Sequence, residues 1–407
     1  VVYQGHDPSH VEGCSALIMT AAVPADHPEL AAARAAGIPV LKRAQALGAI
    51  VNHATVVGIA GTHGKTTTTT LTTGVLAAAG LDPTGFVGAR VPAWGGNLRR
   101  GGDSVYVVEA DEYDRSFHQL RPTIAVVTTL EADHLDIYGS LESVEEAFRL
   151  FVDSVPAEGM VACCADDHGA SRLAASLPGG PGRIVTYGLN AGAMLRAEDV
   201  RASAEGMTFV VRERGRVLGR RVKLAAAGLH NVRNALAAAA VARRLGVEWS
   251  AIAEGLAQYR GIDRRFETIG EAEGVLVVDD YAHHPTEVQA TIAAARAGHP
   301  GRRLVLCFQP HLYSRTRDFE PSTFEIEEET TRDLYTKLWA LTKGKRVRKR
   351  RYEIEEGGPL PKTVVVHLWN NPSTLERSAG AGRDIVYSYT KFLYLDQDPD
   401  FSINFHR

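Results

Sequence analysis

Gly58-Ile59-Ala60-Gly61-Thr62-His63-Gly64-Lys65-Thr66-Thr67 is the stretch on which the reading of the fold turns. The β-branched run at 55–60 predicts a short strand, and the Thr- and Ala-rich run at 65–79 predicts a helix. Glycines between a strand and a helix let backbone N–H groups turn inward around anionic oxygens, and the helix N-terminus adds a favourable dipole. In such a loop Lys65 reaches the β- and γ-phosphates of a nucleotide, and the Thr66 hydroxyl serves Mg²⁺. The general pattern has a glycine five residues before Gly64, where this chain has Ile59, so the loop is a variant built on Gly61 and Gly64. A plain glycine turn would also fit these spacings. The Gly-Lys-Thr-Thr run in a strand–loop–helix context favours nucleotide binding by Gly61, Thr62, His63, Gly64, Lys65, Thr66 and Thr67.

Working outward, strand-length apolar runs at 104–109, 123–129, 274–279 and 303–308 alternate with helical patterns at 141–152, 231–245 and 286–297. Gly246 is a fitting stop for the Ala-rich helix before it. Strands alternating with helices predict an α/β fold with doubly wound parallel sheets. A chain of 407 residues is too long for one ordinary core and fits two or three domains.

Composition narrows the function classes. Against 48 Asp plus Glu stand 45 Lys plus Arg, a net charge of −3, which removes the main argument for a general nucleic-acid binder. No apolar run approaches the length of a membrane span. Cys14, Cys163, Cys164 and Cys307 form no Cys-x-x-Cys pair, so neither a disulfide framework nor a zinc site is expected, and a reducing cytoplasm is the default. The chain starts at Val1 without methionine or a signal-peptide pattern, and its true start is expected upstream.

Two acidic clusters follow the loop: Glu109-Ala110-Asp111-Glu112 and Glu131-Ala132-Asp133-His134-Leu135-Asp136. Each falls at the C-terminal end of a predicted strand, the edge where doubly wound sheets bind ligands. Mg²⁺ takes oxygen ligands and keeps several waters, so one or two carboxylates beside the phosphates suffice. Glu109 is the expected partner of Thr66 on the ion, and His134 a second metal ligand or phosphate partner. Any single acid here could equally be a solvated loop charge.

The order of motifs resembles the Mur ligases. After the loop and the two acidic clusters come Gly228-Leu-His-Asn-Val-Arg-Asn-Ala235, Arg264-Arg-Phe-Glu267, Asp279-Asp-Tyr-Ala-His-His-Pro-Thr-Glu287, Gln309-Pro-His311 and Ser314-Arg-Thr316. The resemblance spans residues 1–319 and is strongest to the alanine-adding branch. It implies a multi-domain α/β fold: a partial UDP-substrate domain at 1–53, a central P-loop ATPase with a parallel sheet at 54–262, and a partial Rossmann-like ligase domain at 263–319. It implies ATP-driven amide formation between UDP-N-acetylmuramate and L-alanine through an acyl phosphate, in cytoplasmic peptidoglycan synthesis. By position, His230, Asn231 and Asn234 would meet the adenine, Arg265 the ATP phosphates and Asp280 the ribose. His6, His283, His284, His311 and Arg315 would line the substrate side. Lys65, Glu109, His134 and Arg265 would carry the chemistry. Taken singly, the asparagines and aspartates read as helix caps and the histidines as core groups. Several sister ligases place a carbamylated lysine fourteen residues after the histidine of Asp-His-x-Asp; that position is Phe148 here, as in the alanine-adding branch. The resemblance predicts a readable ATP site in a chain whose two ends depart from the family.

Residues 320–407 differ in composition. They hold six of the nine lysines and few alanines, and seven of the nine residues at 343–351 are basic. Glu325-Ile-Glu-Glu-Glu329 and this basic run resemble the CYTH (triphosphate-tunnel) family, with Arg346, Arg348 and Arg350 on one strand face as a polyphosphate platform. A solvated basic hairpin fits as well. A non-catalytic nucleotide- or polyphosphate-binding fusion is the alternative to the ligase.

Overall fold

A computed structural model describes residues 2–20, 23–180, 182–272 and 274–308, with the backbone of Thr363–Leu368 and Lys391–Tyr394. The predicted His311 and Arg315, and the basic run of the CYTH-like segment, lie outside the described residues.

The central unit is one eleven-stranded sheet. From one edge it runs Gly96–Arg99, Thr84–Val91, Val105–Glu109, Thr55–Ala60, Ile124–Val127, Met160–Cys164, Ile184–Gly188, Leu195–Ser203 and Gly206–Glu213. Every pairing from Thr84–Val91 to Leu195–Ser203 is parallel. Ile124–Val127 and Met160–Cys164 are buried at every position, as strands covered on both faces must be. Strand Thr55–Ala60 lies between Val105–Glu109 and Ile124–Val127, both later in the chain. The chain therefore leaves its first central strand at a switch point, and three strand ends converge there: 61–64, 110–112 and 128–134.

Helix Lys65–Ala78 follows the loop and buries ten side chains, seven of them threonines. Hydroxyls of Thr69, Thr70 and Thr73 donate to the carbonyls four residues back at 2.8–2.9 Å, which satisfies these groups inside the helix. The helix packs against Leu229–Arg244 and Trp249–Ala257. At Gly255 a Cβ would lie 2.8 Å from the Val75 Cα, so a side chain there would drive two helix backbones apart.

A smaller unit at the start of the chain pairs Leu17–Met19 with Val40–Lys42 in parallel, flanked by helices Pro28–Ala35 and Arg43–Val51. The third unit is a five-stranded sheet ordered Glu267–Ala272, Val275–Asp280, Thr363–Leu368, Arg303–Phe308, Lys391–Tyr394. Helix Pro285–Gly298 packs on it through Val288, Ile292 and Ala295. Thr363–Leu368 pairs in parallel with both neighbours, so the sheet of the third unit draws on residues beyond 319. The composition break at 320 therefore does not mark the end of that sheet. Elsewhere the expected strands and helices appear with ends shifted by one or two residues, as at Leu141–Asp153 and Leu229–Arg244.

Candidate active site

Backbone conformation fixes the loop at 61–64. Gly61 has φ +140° and Gly64 φ +82°, and Cβ atoms there would fall 2.0 Å from Thr128 Oγ1 and 2.7 Å from Asn234 Oδ1. Only glycine fits either place. The neighbouring strand end grips the loop: Thr62 N–H donates to the Thr129 carbonyl at 3.0 Å, and His63 N–H to Thr129 Oγ1 at 2.8 Å. The first helical hydrogen bond is Thr68 N–H to the Gly64 carbonyl, which leaves the N–H groups of the first turn without acceptors inside the helix. That is the donor set an anionic ligand needs.

Lys65 Nζ donates to the Gly61 carbonyl at 2.7 Å and to both Glu112 oxygens at 2.8 and 2.7 Å. Burial works against the Lys65 charge, but Glu112, Asp111 and Glu109 outweigh it and its pKa is raised. Burial also pushes the Glu112 carboxyl up, against the pull of Lys65. The bidentate geometry is that of an ammonium–carboxylate pair, and we read both groups as ionised at neutral pH. Tyr138 donates its hydroxyl to the Glu112 carbonyl at 2.6 Å and holds this turn in place.

Thr66 Oγ1 donates to Glu109 Oε1 at 2.9 Å, and Gly88 N–H donates to Glu109 Oε2 at 2.6 Å. These oxygens stand together beside the loop, and hard oxygen donors next to a phosphate cradle are the set Mg²⁺ takes. His134 stands at the next strand end with φ +53°, its Nε2 4.0 Å from Glu112 Oε1 and 3.8 Å from Asp133 Oδ2. Phe148, at the carbamylated-lysine position of sister ligases, is fully buried edge-on to Phe117 and contributes core, not a metal ligand.

The third unit closes over the loop from the other side. One cavity is lined by His63, Gly64, Thr66, Thr67, His230, Asn231, Asn234, Arg265, Asp280 and Glu287, which brings nine predicted nucleotide-side residues together. Asn231 donates to the Ala227 carbonyl at 2.8 Å, and Asn234 donates to Asn231 Oδ1 at 3.1 Å, so the pair braces the helix start behind Gly64. Burial and the nearby Arg233 push His230 down to about 4, which leaves it neutral. Asp280 accepts from the N–H groups of Phe266 at 2.8 Å and Ala282 at 2.7 Å. Burial raises its carboxyl to about 6, partly countered by Arg265.

His283 and His284 begin the helix Pro285–Gly298. His284 Nδ1 accepts from Thr286 N–H at 3.3 Å as its cap, and burial with the charge of His63 pushes it down to about 4. His283 contacts the Tyr281 carbonyl at 3.0 Å. His63 is the charged member: burial opposes its proton, but Glu131 and Glu287 raise it to about 9. Glu287 Oε1 lies 3.2 Å from His63 Nδ1 and 3.8 Å from the Arg265 guanidinium. Against the cost of burial, His63, Arg265 and His283 hold the Glu287 carboxyl well below its ordinary range. His6 sits apart in the first unit, exposed and edge-on to His27 at 4.5 Å.

Sequence reasoning gave no role to Glu112, Glu287 or Thr128. Glu112 belongs to the same acidic cluster as Glu109, but its spacing alone does not say which acid of the cluster turns toward Lys65. Glu287 meets His63 across 224 residues, a separation no local pattern reports.

The family described as Mur ligase middle domain matches residues 59–242. Mur ligase, glutamate ligase domain matches 264–331, and Mur ligase family, catalytic domain matches 1–55. The UDP-N-acetylmuramate–L-alanine ligase of Arthrobacter sp. (strain FB24) is 47% identical over 319 residues, covering 78% of this chain and 67% of its own. The protein of the same name from Salinibacter ruber is 44% identical over 321 residues, with 78% and 66% covered. Among solved structures, the UDP-N-acetylmuramate–alanine ligase of Thermotoga maritima superposes with a TM-score of 0.69 at 26% identity, over 92% of this chain and 88% of that one. The chain spans about two-thirds of the length of the first two relatives. With its loop, its acidic strand ends and its third unit in the places described, the chain belongs to the Mur ligase family.

Proposed function

We propose that this chain joins L-alanine to the lactyl carboxylate of UDP-N-acetylmuramate, with ATP as the energy source and Mg²⁺ held by Thr66 and Glu109. The observation that carries the reading is the convergence of Lys65, the Thr66–Glu109 pair and Arg265 around one glycine loop. Relatives at 47% and 44% identity bear the name of that ligase. A carboxylate is a poor acceptor for an amine until one oxygen is made a leaving group. The muramate carboxylate oxygen attacks the terminal phosphorus, the bond to ADP breaks, and an acyl phosphate forms. The amine nitrogen of alanine then attacks the carbonyl carbon. The tetrahedral intermediate collapses with loss of phosphate, and the amine proton leaves with solvent or a nearby base.

Lys65 and Arg265 provide positive charge where the transferring group spreads its negative charge. Bound Mg²⁺ would neutralise phosphate oxygens and help orient them. Asn231, Asn234 and His230 wall the side assigned to the base, and His134 the side where the carboxylate would approach. No helix among the described residues is long and apolar enough to cross a membrane. A UDP-sugar and ATP are cytoplasmic substrates, and we place the protein there.

The test is phosphate release by the full chain with ATP and Mg²⁺. The reading expects release that requires both UDP-N-acetylmuramate and L-alanine, with an amide product of matching mass. Release that ignores alanine, or no release while nucleotide is bound, would overturn it.

A further inference from the structure

We propose that His63, Glu131 and His284 form a binding site for a divalent transition-metal ion, separate from the Thr66–Glu109 oxygens, that pins the third unit to the nucleotide loop. One donor atom from each of these three side chains lies within 4.8 Å of the others. His63 Nε2 is 3.7 Å from Glu131 Oε2, and His284 Nδ1 is 3.9 Å from the same oxygen. Ligands about 2.1 Å from a tetrahedral ion stand about 3.4 Å from one another, so small side-chain adjustments close the set. Both distances are too long for hydrogen bonds, and His63 Nε2 is enclosed without one.

The outer contacts suit a metal centre. Glu287 Oε1 lies 3.2 Å from His63 Nδ1, the carboxylate–imidazole arrangement that fixes a ligating ring. Thr286 Oγ1 donates to Glu131 Oε2 at 2.9 Å and orients that carboxylate. The metal would replace the long 3.3 Å contact from Thr286 N–H to His284 Nδ1. Two imidazoles and one carboxylate select Zn²⁺, Co²⁺ or Ni²⁺ over Mg²⁺, which prefers oxygen alone. His63 and Glu131 belong to the central unit and His284 to the third, so occupancy ties the two together beside the cavity wall.

Titrating Co²⁺ into the full chain, in excess Mg²⁺ and without nucleotide, tests the site. The expected result is one equivalent bound with the visible absorption of low-coordinate Co²⁺, displaced by Zn²⁺. Affinity should fall about tenfold or more in His284→Asn and in Glu131→Gln. It should persist in His27→Gln, which alters the other His-rich cluster, His6, His27 and Glu29. No such absorption in the wild type, or affinity unchanged in Glu131→Gln, overturns the proposal. Circular dichroism checks each variant, and if His284→Asn does not fold, Glu131→Gln decides. Because no nucleotide is present, failure here leaves the ligase reading standing, and failure of the ligase assay leaves this site standing.

Discussion

Lys65 and Glu112 form a buried ion pair in which the ammonium nitrogen faces both carboxylate oxygens at 2.8 and 2.7 Å. The side chain that would grip phosphate is already neutralised by the protein. Incoming phosphates must therefore compete with Glu112, and the pair sets a resting state for the loop.

Glu112→Gln should lower the stability of the empty protein, because Lys65 then loses the carboxylate it is paired with and keeps only the weaker pull of Asp111 and Glu109; losing one partner of such a pair costs up to about 3–5 kcal/mol. Phosphates restore that counter-charge, so ATP should raise the melting temperature of the variant more than that of the wild type. Thermal melts with and without ATP read both effects. An equal ATP-induced shift in the two proteins would show that Glu112 and nucleotide do not share Lys65.

Lys65→Ala removes the charge-assisted contacts to phosphate, each worth about 1.5–3 kcal/mol. Nucleotide affinity should fall about ten- to a hundredfold in a calorimetric titration. Affinity equal to the wild type would mean that the loop at 61–64 does not hold phosphate.

The strand–loop–helix unit was legible because its signals are local: the β-branched run, two glycines that alone tolerate their backbone angles, and a helix that starts at Lys65. Glu112 was not, because which acid of Glu-Ala-Asp-Glu turns inward depends on the irregular turn Tyr113–Gln119 that follows, where Asp114 and Arg115 have positive φ. The motif Asp279–Glu287 was visible as a string, yet its contact with His63 depends on how the third unit lies over the loop. Thr363–Leu368 drew no reading from the sequence: its place between Val275–Asp280 and Arg303–Phe308 is a long-range pairing that the change of composition after 320 obscured.

Glu109→Gln keeps the shape of the Thr66 contact and removes the charge that would face Mg²⁺. The Mg²⁺ concentration giving half-maximal ADP formation should rise about tenfold or more, with a smaller change in nucleotide affinity measured without metal. An unchanged Mg²⁺ dependence would assign the ion to other residues.

His63 titrates at about 9 in the folded chain against an ordinary 6.5. Its contribution to stability is complete below about 6.5 and is lost as pH rises through 9, since the unfolded chain gives up the proton first; the size is on the order of 3 kcal/mol. Cys163 and Cys164, pushed up by burial to about 12 and about 11, act with the same sign only above their ordinary 9.0. On the acid side His230 and His284, both near 4, make stability fall as pH drops below 6.5, while Asp280 at about 6 offsets part of that fall. Melting temperatures in chelator should therefore decline from pH 6.5 to 9, and His63→Gln should flatten that decline; because the His63 charge also lowers His284 and Glu287, the acid side should shift as well. Chelator is needed because an ion on His63 would hold the ring deprotonated and mask the titration. A decline as steep in His63→Gln as in the wild type would remove the charged imidazole between Glu131 and Glu287 from the account of how the third unit is held to the loop.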